Sequence, residues 1–272
     1  MLTITLLNQK GGVGKTSSCF HLAGALAKSG RRVLLIDNDP QASLTQGFFG
    51  PDATRSIASE ATVAALFDPS FDPTPEALIL PSGFKGIWIV PGSIDLTDAN
   101  MRPRVEWPHA EHGIRSFVDA VGHDFDLALI DCPPNLHLCS WGALVASDRI
   151  VVPLQAEDFG SQGLAPVQAS ILAVQSGPNP TLGLTGYLLT MYDKRLSVHV
   201  AYEEMLRDQY GPAVFAAVIP RAKDFVEAVA MRRPLAFHKP RSASARAVEA
   251  VTAELLARVS LGSEIAEERG AA

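Results

Sequence analysis

The chain has 272 residues, of which 47% are hydrophobic and 19% charged, and its formal net charge is −6. This apolar content suffices for the core of one large domain and excludes a disordered chain, and the acidic balance disfavours a protein dominated by nucleic-acid binding. Three cysteines without a CxxC pair exclude a disulfide framework and give no zinc pattern, and no apolar run approaches the ~18 residues that cross a bilayer. We expect a soluble, cytoplasmic protein.

The start of the chain predicts a strand, a loop, a helix and a second strand. Residues 2–7 form an apolar, β-rich run that ends in glycines, and apolar side chains recur at helical spacing over residues 15–28. Gly30 then ends the helix, and residues 31–37 have the continuous apolar pattern of a strand buried in a parallel sheet.

The same alternation continues along the chain. Strands are predicted at residues 87–90, 125–131, 149–154, 184–190 and 214–218, and helices at residues 136–146, 161–174 and 198–210. This pattern predicts a single α/β domain over residues 1–259, built on a mostly parallel twisted sheet with helices on both faces. Residues 50–104 contain seven prolines and are interpreted as an irregular insertion, and residues 260–272 as a flexible tail.

The string NQKGGVGKT, residues 8–16, has the pattern of a phosphate-binding loop. Backbone amides of Gly11, Gly12, Val13 and Gly14, placed between a strand and a helix, would converge on an anion. Lys15 would then contact the β and γ phosphates and Thr16 would bind Mg²⁺. The loop pattern asks for a glycine where this chain has Gln9, and a second lysine, Lys10, stands beside it.

Three aspartates follow predicted strands and should lie beyond the carboxyl edge of the sheet. Asp37 and Asp39 belong to the string DNDPQ, and Asp131 ends the apolar string LALID. Carboxylates there can hold Mg²⁺ through water and orient an attacking water, with Asp37 and Asp131 assigned to the metal. The alternative is that Asp37 or Asp39 only caps a helix predicted over residues 41–48.

With KGGVGKT, DNDPQ and LIDCPP in this order, the sequence resembles the ParA/MinD family of ATPases with a deviant phosphate loop. The strings VPLQAEDFGSQGL, LLTMYDKR and VIPRAKDFVEAVAMRRPL extend the resemblance to the ParA branch. Together these strings span most of residues 1–255. The resemblance implies a phosphate-loop NTPase fold with ATP and Mg²⁺ as cofactors and weak intrinsic ATPase activity.

The resemblance also implies roles for individual residues in an ATP-bound sandwich dimer. Lys10 would reach across the interface to the partner's nucleotide, Ser17 would contact the α-phosphate, and Asp39 would orient the hydrolytic water. The pair Pro220 and Arg221 would lie at the adenine. Relatives often have an asparagine after that pair, whereas this chain has Ala222, so contacts to the base are less defined than contacts to the phosphates.

The ParA branch further implies binding to double-stranded DNA without sequence preference. Residues 190–246 hold ten Lys or Arg against six Asp or Glu, and cations of this kind supply salt-dependent phosphate contacts. The candidate DNA contacts are Lys194, Arg195, Lys223, Arg232 and Arg233. A ParB-like or cargo-adaptor protein would stimulate hydrolysis, and the protein would associate with the nucleoid. The alternative for each cation is a solvated surface charge.

Three rival functions compete with this one. A MinD-like membrane ATPase needs a basic amphipathic C-terminal helix, but this chain ends in GSEIAEERGAA. An iron-sulfur carrier of the same superfamily would use Cys132 and Cys139, without the usual CxxC pair. A metabolic ligase such as a dethiobiotin-synthase relative is disfavoured by Lys10 and the ParA-like C-terminal strings.

Overall fold

The computed structural model describes residues 1–101, 110–156 and 164–270. Within these residues, seven strands form one sheet in the order β3-β4-β2-β5-β1-β6-β7. The strands are β1 (Leu2–Leu6), β2 (Val33–Asp37), β3 (Leu80–Pro81), β4 (Ile87–Val90), β5 (Leu127–Asp131), β6 (Arg149–Gln155) and β7 (Gly183–Thr190). All pairings are parallel except that of the short edge strand β3 with β4. The predicted mostly parallel sheet is confirmed.

Helices cover both faces of the sheet because the central strands are apolar on both sides. In β2, for example, Leu35 packs into one core and Leu34 into the other. The described helices are α1 (Lys15–Lys28), α2 (Ser43–Phe49), α3 (Pro51–Arg55), α4 (Leu96–Met101), α5 (Gly113–Val121), α6 (Leu138–Ala146), α7 (Ala165–Gln175), α8 (Ser197–Tyr210), α9 (Lys223–Ala230), α10 (Leu235–His238) and α11 (Ala243–Gly270). Helices α1, α2 and α9–α11 pack on the first face, and α4–α8 on the second.

Most predicted elements are confirmed to within a few residues, but one predicted strand is wrong. Residues 214–218 form no named strand, and Val214 makes only an isolated bridge to Tyr187. The backbone amides of Ala216 and Ala217 instead donate to the two carboxylate oxygens of Glu254, both at 2.8 Å. A side chain of α11 therefore accepts the hydrogen bonds of these two amides in place of a neighbouring strand.

The segment over residues 50–104 is irregular, as predicted, up to the last described residue. It contains α3, α4, β3, β4 and three short 3₁₀ turns, Ser59–Ala61, Val63–Leu66 and Pro75–Leu78. The start of the helix predicted at residue 161 lies outside the described residues, and α7 begins at Ala165. The backbone of residues 260–270 is helical and continues α11, and the predicted flexibility of residues 260–272 stays a prediction.

Helix α1 is held against α10 by a very close approach. A Cβ atom at Gly24 would lie 2.5 Å from Cβ of Pro234, so only glycine fits there. One turn earlier, the buried His21 accepts a hydrogen bond from the backbone N–H of Leu235 through Nδ1, at 3.2 Å. Burial lowers the pKa of His21 to about 3, so the ring is neutral and able to accept.

No helix in the described part of the chain combines the length and the apolar character needed to cross a membrane.

Candidate functional site

The strand register brings the predicted acidic residues to one edge of the sheet. Asp131 lies beside Asp37 on one side and beside Leu6, the last residue of β1, on the other. The glycine loop follows β1 directly and leads into α1. The glycine loop and the carboxylates of Asp37 and Asp131 therefore lie together at the carboxyl edge of the sheet, where a parallel sheet places its ligands.

Left-handed backbone angles shape the loop. Gly12 and Gly14 have φ of 77° and 81°, which side-chain-bearing residues rarely adopt. The loop is also tied to the end of β7, because the Thr190 hydroxyl donates to the carbonyl of Val13 at 2.8 Å. Next to it, Met191 has φ of 50° and its side chain lies against Gly14. Thr190 and Met191 were not singled out from the sequence, because their contacts with the loop are long-range.

Lys15 is buried although it is charged, and loop carbonyls hold its ammonium group. Nζ donates to the carbonyls of Asn8 and Lys10, both at 3.0 Å. Burial lowers the pKa of Lys15, and the nearby carboxylate of Asp131 counteracts part of that shift. An ammonium held by weak neutral acceptors inside a glycine loop can exchange them for phosphate oxygens, which are stronger acceptors.

Asn8 is a second residue that sequence reasoning missed. Its side chain is buried, its Oδ1 accepts from the backbone N–H of Lys10 at 2.9 Å, and its Nδ2 donates to the carbonyl of Pro153 at 2.8 Å. Asn8 thus fixes the entry of the loop to β6 while its own carbonyl accepts from Lys15. The signal available in the sequence was an amide residue immediately after an apolar strand.

Asp37 is fully buried, and α2 takes one of its oxygens. Oδ2 accepts from the backbone N–H of Thr45 at 2.7 Å and from its hydroxyl at 2.6 Å. Burial is the main cause that raises the pKa of Asp37 to about 7, and the bonds from Thr45 oppose it. Asp37 thus contributes to capping α2, because its carboxylate accepts a hydrogen bond from the Thr45 amide in the first turn of that helix.

Asp131 is also fully buried, and its carboxylate faces the start of α1. Burial raises its pKa well above the usual range and the Asp37 carboxylate raises it further, whereas the Thr16 hydroxyl and Lys15 oppose the rise. Even so, neither oxygen of Asp131 has a partner in hydrogen-bond geometry among the described residues. A buried carboxyl group is costly when nearby donors such as the Thr16 hydroxyl do not reach hydrogen-bond geometry, which indicates that a bound group normally satisfies it.

Asp39 lies nearer the surface than the other two acids. It is half-buried, and its Oδ1 accepts from the backbone N–H of Gln41 at 2.9 Å. Helix α2 begins at Ser43 after Ala42, so Asp39 does not cap it. The second carboxylate oxygen of Asp39 therefore takes no part in capping α2.

The residues at this edge fit a hydrated divalent cation. Oδ1 of Asp37 and both oxygens of Asp131 are buried atoms without hydrogen-bond partners in the described part of the chain. The described residues contain no cluster of three His, Cys, Asp or Glu side chains that would form an all-protein metal cage. One or two carboxylates plus the Thr16 hydroxyl match Mg²⁺, which keeps several waters and is completed by phosphate oxygens.

A cavity of about 580 Å³ opens beside the loop on the α1 side. Gly14 and Ser17 line it together with Pro220, Arg221 and Ala222, so residues distant in sequence meet at this cavity. Apolar side chains form most of the remaining wall: Met191, Ile219, Phe225, Val226 and Val229. Apolar walls with a phosphate loop at one end suit a nucleotide whose base lies against them.

Lys10 differs from Lys15 in its surroundings. The residue is exposed, and its backbone N–H and carbonyl are used by Asn8 and Lys15. The loop therefore presents one lysine inward and one outward.

The five candidate DNA contacts are exposed, but two of them form ion pairs within the chain. The guanidinium of Arg195 binds Asp193 at 2.7 Å, and Nζ of Lys223 lies 3.7 Å from Glu227. Lys194 and Arg233 are exposed, and Arg232, with φ of 54°, packs its guanidinium over Gly50.

The cysteines have the properties of core residues. All three are buried and reduced, and burial raises the pKa of Cys132 and of Cys139 above the usual thiol value. Thiolates are the metal-binding form, so these surroundings oppose the iron-sulfur alternative.

A glycine loop between a parallel strand and a helix, a buried lysine inside it and carboxylates at the ends of neighbouring strands define a phosphate-loop nucleotide-binding protein of the α/β class. Residues 1–184 match the family model described as an AAA domain. The chromosome-partitioning ATPase Soj of Thermus thermophilus is 38% identical over 256 residues, covering 94% of this chain and 96% of that protein. The chain therefore belongs to the ParA/MinD family of ATPases.

Solved structures agree with this assignment. A Mycobacterium smegmatis protein described as cobyrinic acid a,c-diamide synthase, with bound ADP and magnesium, superposes with a TM-score of 0.76 at 30% identity and 94% coverage of each chain. The complex of a Cyanothece McdA variant with ATP reaches a TM-score of 0.82 at 18% identity, covering 94% of this chain and 96% of that one. At that identity the second match supports the fold alone.

Proposed function

We propose that this protein is a ParA-like partitioning or positioning ATPase that binds and hydrolyses ATP with Mg²⁺. The observation that carries the proposal is the buried Lys15, held on loop carbonyls near the buried carboxyl group of Asp131, whose oxygens have no partner in hydrogen-bond geometry among the described residues. The M. smegmatis structure with ADP and magnesium, at 30% identity over nearly the whole chain, supports the choice of ligand.

The mechanism follows from where each group lies. Loop amides and Lys15 would bind the phosphates, while Thr16 and Asp131, with Asp37 behind them, would hold Mg²⁺, which neutralises charge that develops on the phosphates. Asp39 has one carboxylate oxygen beyond its bond to Gln41, and it would accept a hydrogen bond from the attacking water. Pro220, Arg221 and the apolar wall would position the base.

The outward Lys10 supports an ATP-dependent homodimer in which this lysine contacts the partner's nucleotide. In that state two weak DNA-binding surfaces act on one rigid body, so their binding free energies add where the spacing fits. We therefore expect ATP to promote nonspecific binding to double-stranded DNA through Lys194, Arg195, Lys223, Arg232 and Arg233. A ParB-like or cargo-adaptor protein would stimulate hydrolysis and release, with the dimer located on the nucleoid.

A mobility-shift series on duplex DNA with ATP, ADP and no nucleotide tests the DNA part of the proposal. Binding should be strongest with ATP and independent of DNA sequence. Equal binding in all three conditions would contradict an ATP switch. Binding of the ATP state to anionic vesicles rather than to DNA would favour the MinD-like alternative.

Replacing Asp39 tests the hydrolytic role. Asp39→Ala should bind ATP normally but hydrolyse it about 100-fold more slowly, the lower range for a lost general base. Asp39→Asn is the matched variant, because its amide oxygen still accepts from the Gln41 amide while the charge is removed. A full rate in Asp39→Asn with a slow Asp39→Ala would reduce Asp39 to a structural role.

A further inference from the structure

A second cavity lies at the amino edge of the sheet, at the opposite end of α1 from the phosphate loop. Its volume is about 430 Å³, and it is located where α1 ends and where β2 and β4 begin. Four cationic and two aromatic side chains form most of its wall: Lys28, Arg31, Arg32, Lys85, Trp88 and Phe237. We call this feature the basic cavity.

A glycine brings the two basic segments together. Gly86 has φ of 86°, and a Cβ atom there would lie 3.1 Å from the carbonyl oxygen of Arg31 and 3.2 Å from Cβ of Ala27. The carbonyl of Gly86 accepts from the backbone N–H of Val33 at 2.9 Å. The turn that carries Lys85 is thereby packed directly on the end of α1.

Most of the positive charge in the basic cavity is not neutralised within the protein. Arg32 pairs with Asp126 at 3.0 Å, and its hydrogen bonds hold the pKa of that carboxyl below the usual range. Lys28, Arg31 and Lys85 are exposed, and no described carboxylate lies within ion-pair distance of them. Three cations of the basic cavity thus lack an acidic partner among the described residues, on a chain whose net charge is −6.

The end of α1 does not explain this accumulation. A cation in the last helical turn is favourable because it faces the carbonyl end of the helix dipole, and Lys28 occupies that position. Lys85 belongs to the turn between β3 and β4, which packs on the same helix end, but a dipole equivalent to roughly half an elementary charge does not offset three cations. Like charges brought together in this way repel one another, so their juxtaposition indicates an anionic ligand.

The aromatic side chains are already engaged and leave little room for a stacked base. Nζ of Lys28 lies 4.6 Å from the centroid of the Phe237 ring, and Phe84 packs on the same ring at 4.9 Å. Trp88 is half-buried and packs edge-on against Phe125 at 5.4 Å. The groups that remain available to a ligand are cations, which recognise phosphate without reading a base.

Resting on the DNA binding proposed above, we propose that the basic cavity binds phosphates of the duplex DNA backbone, and that it does so whether or not nucleotide is bound. This surface is separate from the C-terminal cations named above, of which Arg195 and Lys223 are paired with acids. The open backbone of Gly30 and Gly83, where a Cβ would meet nothing within 4 Å, lets a wide polyanion approach. In an ATP-bound dimer whose protomers meet at the carboxyl edges of their sheets, the two basic cavities would face away from the interface.

A salt titration of DNA binding tests the proposal on the full chain. The variant Lys28→Gln/Arg31→Gln/Lys85→Gln is compared with the control Arg55→Gln/Arg241→Gln/Arg246→Gln, which removes three exposed cations elsewhere. Fluorescence anisotropy with a labelled duplex is measured across a KCl series, with and without ATP. The slope of log K against log[KCl] is negative, and each phosphate contact contributes roughly 0.9 to its magnitude. Loss of three contacts should therefore make the slope shallower by about 2 to 3 in both states. The control should keep the parental slope.

Several outcomes would overturn the proposal. These are an unchanged slope in the cavity variant, a change confined to the ATP state, or no DNA binding by the parental protein. Full competition by AMP or inorganic phosphate at low concentration would instead assign the cavity to a small phosphate ligand. The charge-preserving variant Lys28→Arg/Arg31→Lys/Lys85→Arg should bind like the parent, which separates charge from folding damage. ATP affinity, measured in parallel, reports on the proposed ATPase independently.

Discussion

The two edges of the sheet carry charge in opposite ways. At the carboxyl edge, Asp37 and Asp131 are completely buried and their pKa values are raised, mainly by burial. At the amino edge, Lys28, Arg31 and Lys85 are exposed. Helix α1 joins the two edges, since it begins at the phosphate loop and ends at the basic cavity. A buried charge is stable only where strand register and fixed hydrogen-bond donors position it. An exposed charge costs little free energy, and it indicates a binding surface only where several such charges cluster.

The largest effect should come from the lysine buried at the carboxyl edge. Lys15→Ala would remove the charge-assisted contacts that we propose to two phosphates, each worth about 1.5–3 kcal/mol, so ATP affinity should fall ~100-fold or more. The matched variant Lys10→Ala should bind ATP with near-parental affinity and fail to form the ATP-dependent dimer. Titration with a labelled ATP analogue and size-exclusion chromatography measure the two properties. Equal behaviour of the two variants would remove the distinction between inward and outward lysines.

Thr45 tests how strongly the carboxyl edge depends on its fixed donors. Its hydroxyl donates to Asp37 and accepts from the backbone N–H of Gly92 at 2.9 Å. Thr45→Val should lower the free energy of unfolding by about 2–4 kcal/mol, because a buried carboxylate and a buried amide each lose a partner. Thr45→Ser keeps the hydroxyl and should recover most of that loss. Urea unfolding of the ligand-free protein measures both, and a loss below about 1 kcal/mol in Thr45→Val would contradict this account.

The carboxyl edge was predictable from sequence because its residues follow strands within short motifs. Lys15, Asp37 and Asp131 each stand within one string, and the rule for parallel strands places the strings together. The basic cavity was not predictable in this way, because Lys85 reaches Arg31 only through the close packing at Gly86. A count of charge along the chain pointed instead to residues 190–246, where it overlooked the ion pairs of Arg195 and Lys223.

The strand predicted at residues 214–218 shows a second limit of sequence reasoning. The apolar run AVFAAV predicts a strand by composition, yet its amides are satisfied by Glu254, a residue of α11 more than thirty positions later. The bond from Thr190 to the phosphate loop and the bond from Asn8 to Pro153 of β6 are of the same long-range kind. Local patterns identify the elements and the motifs, while the partners of individual polar groups depend on the completed fold.

His21 lies between the two edges on α1 and should give a pH-dependent effect. Its folded-state pKa of about 3 lies below the ordinary value of 6.5, so protons bind preferentially to the unfolded chain between these values. The contribution of His21 to stability is therefore complete above about pH 6.5 and declines as pH falls, by up to about 1.4 kcal/mol per pH unit. His21→Asn keeps an acceptor for the Leu235 amide without titrating. Urea unfolding from about pH 7 to about pH 5 should show the parent losing stability relative to this variant; parallel curves would contradict the assignment.

The last effect concerns the glycine that builds the amino edge. Gly83 and Gly86 have nearly equal φ values of 84° and 86°, so alanine at either position should cost roughly 1–2 kcal/mol of left-handed backbone strain. Only at Gly86 would the new Cβ press on Arg31 and Ala27, whereas at Gly83 it would meet nothing within 4 Å. Gly86→Ala should therefore be less stable than Gly83→Ala in urea unfolding, and it alone should reduce the salt slope of DNA binding by displacing Lys85. If both variants lost the same stability and kept the parental slope, the close approach at Gly86 would have no part in forming the basic cavity.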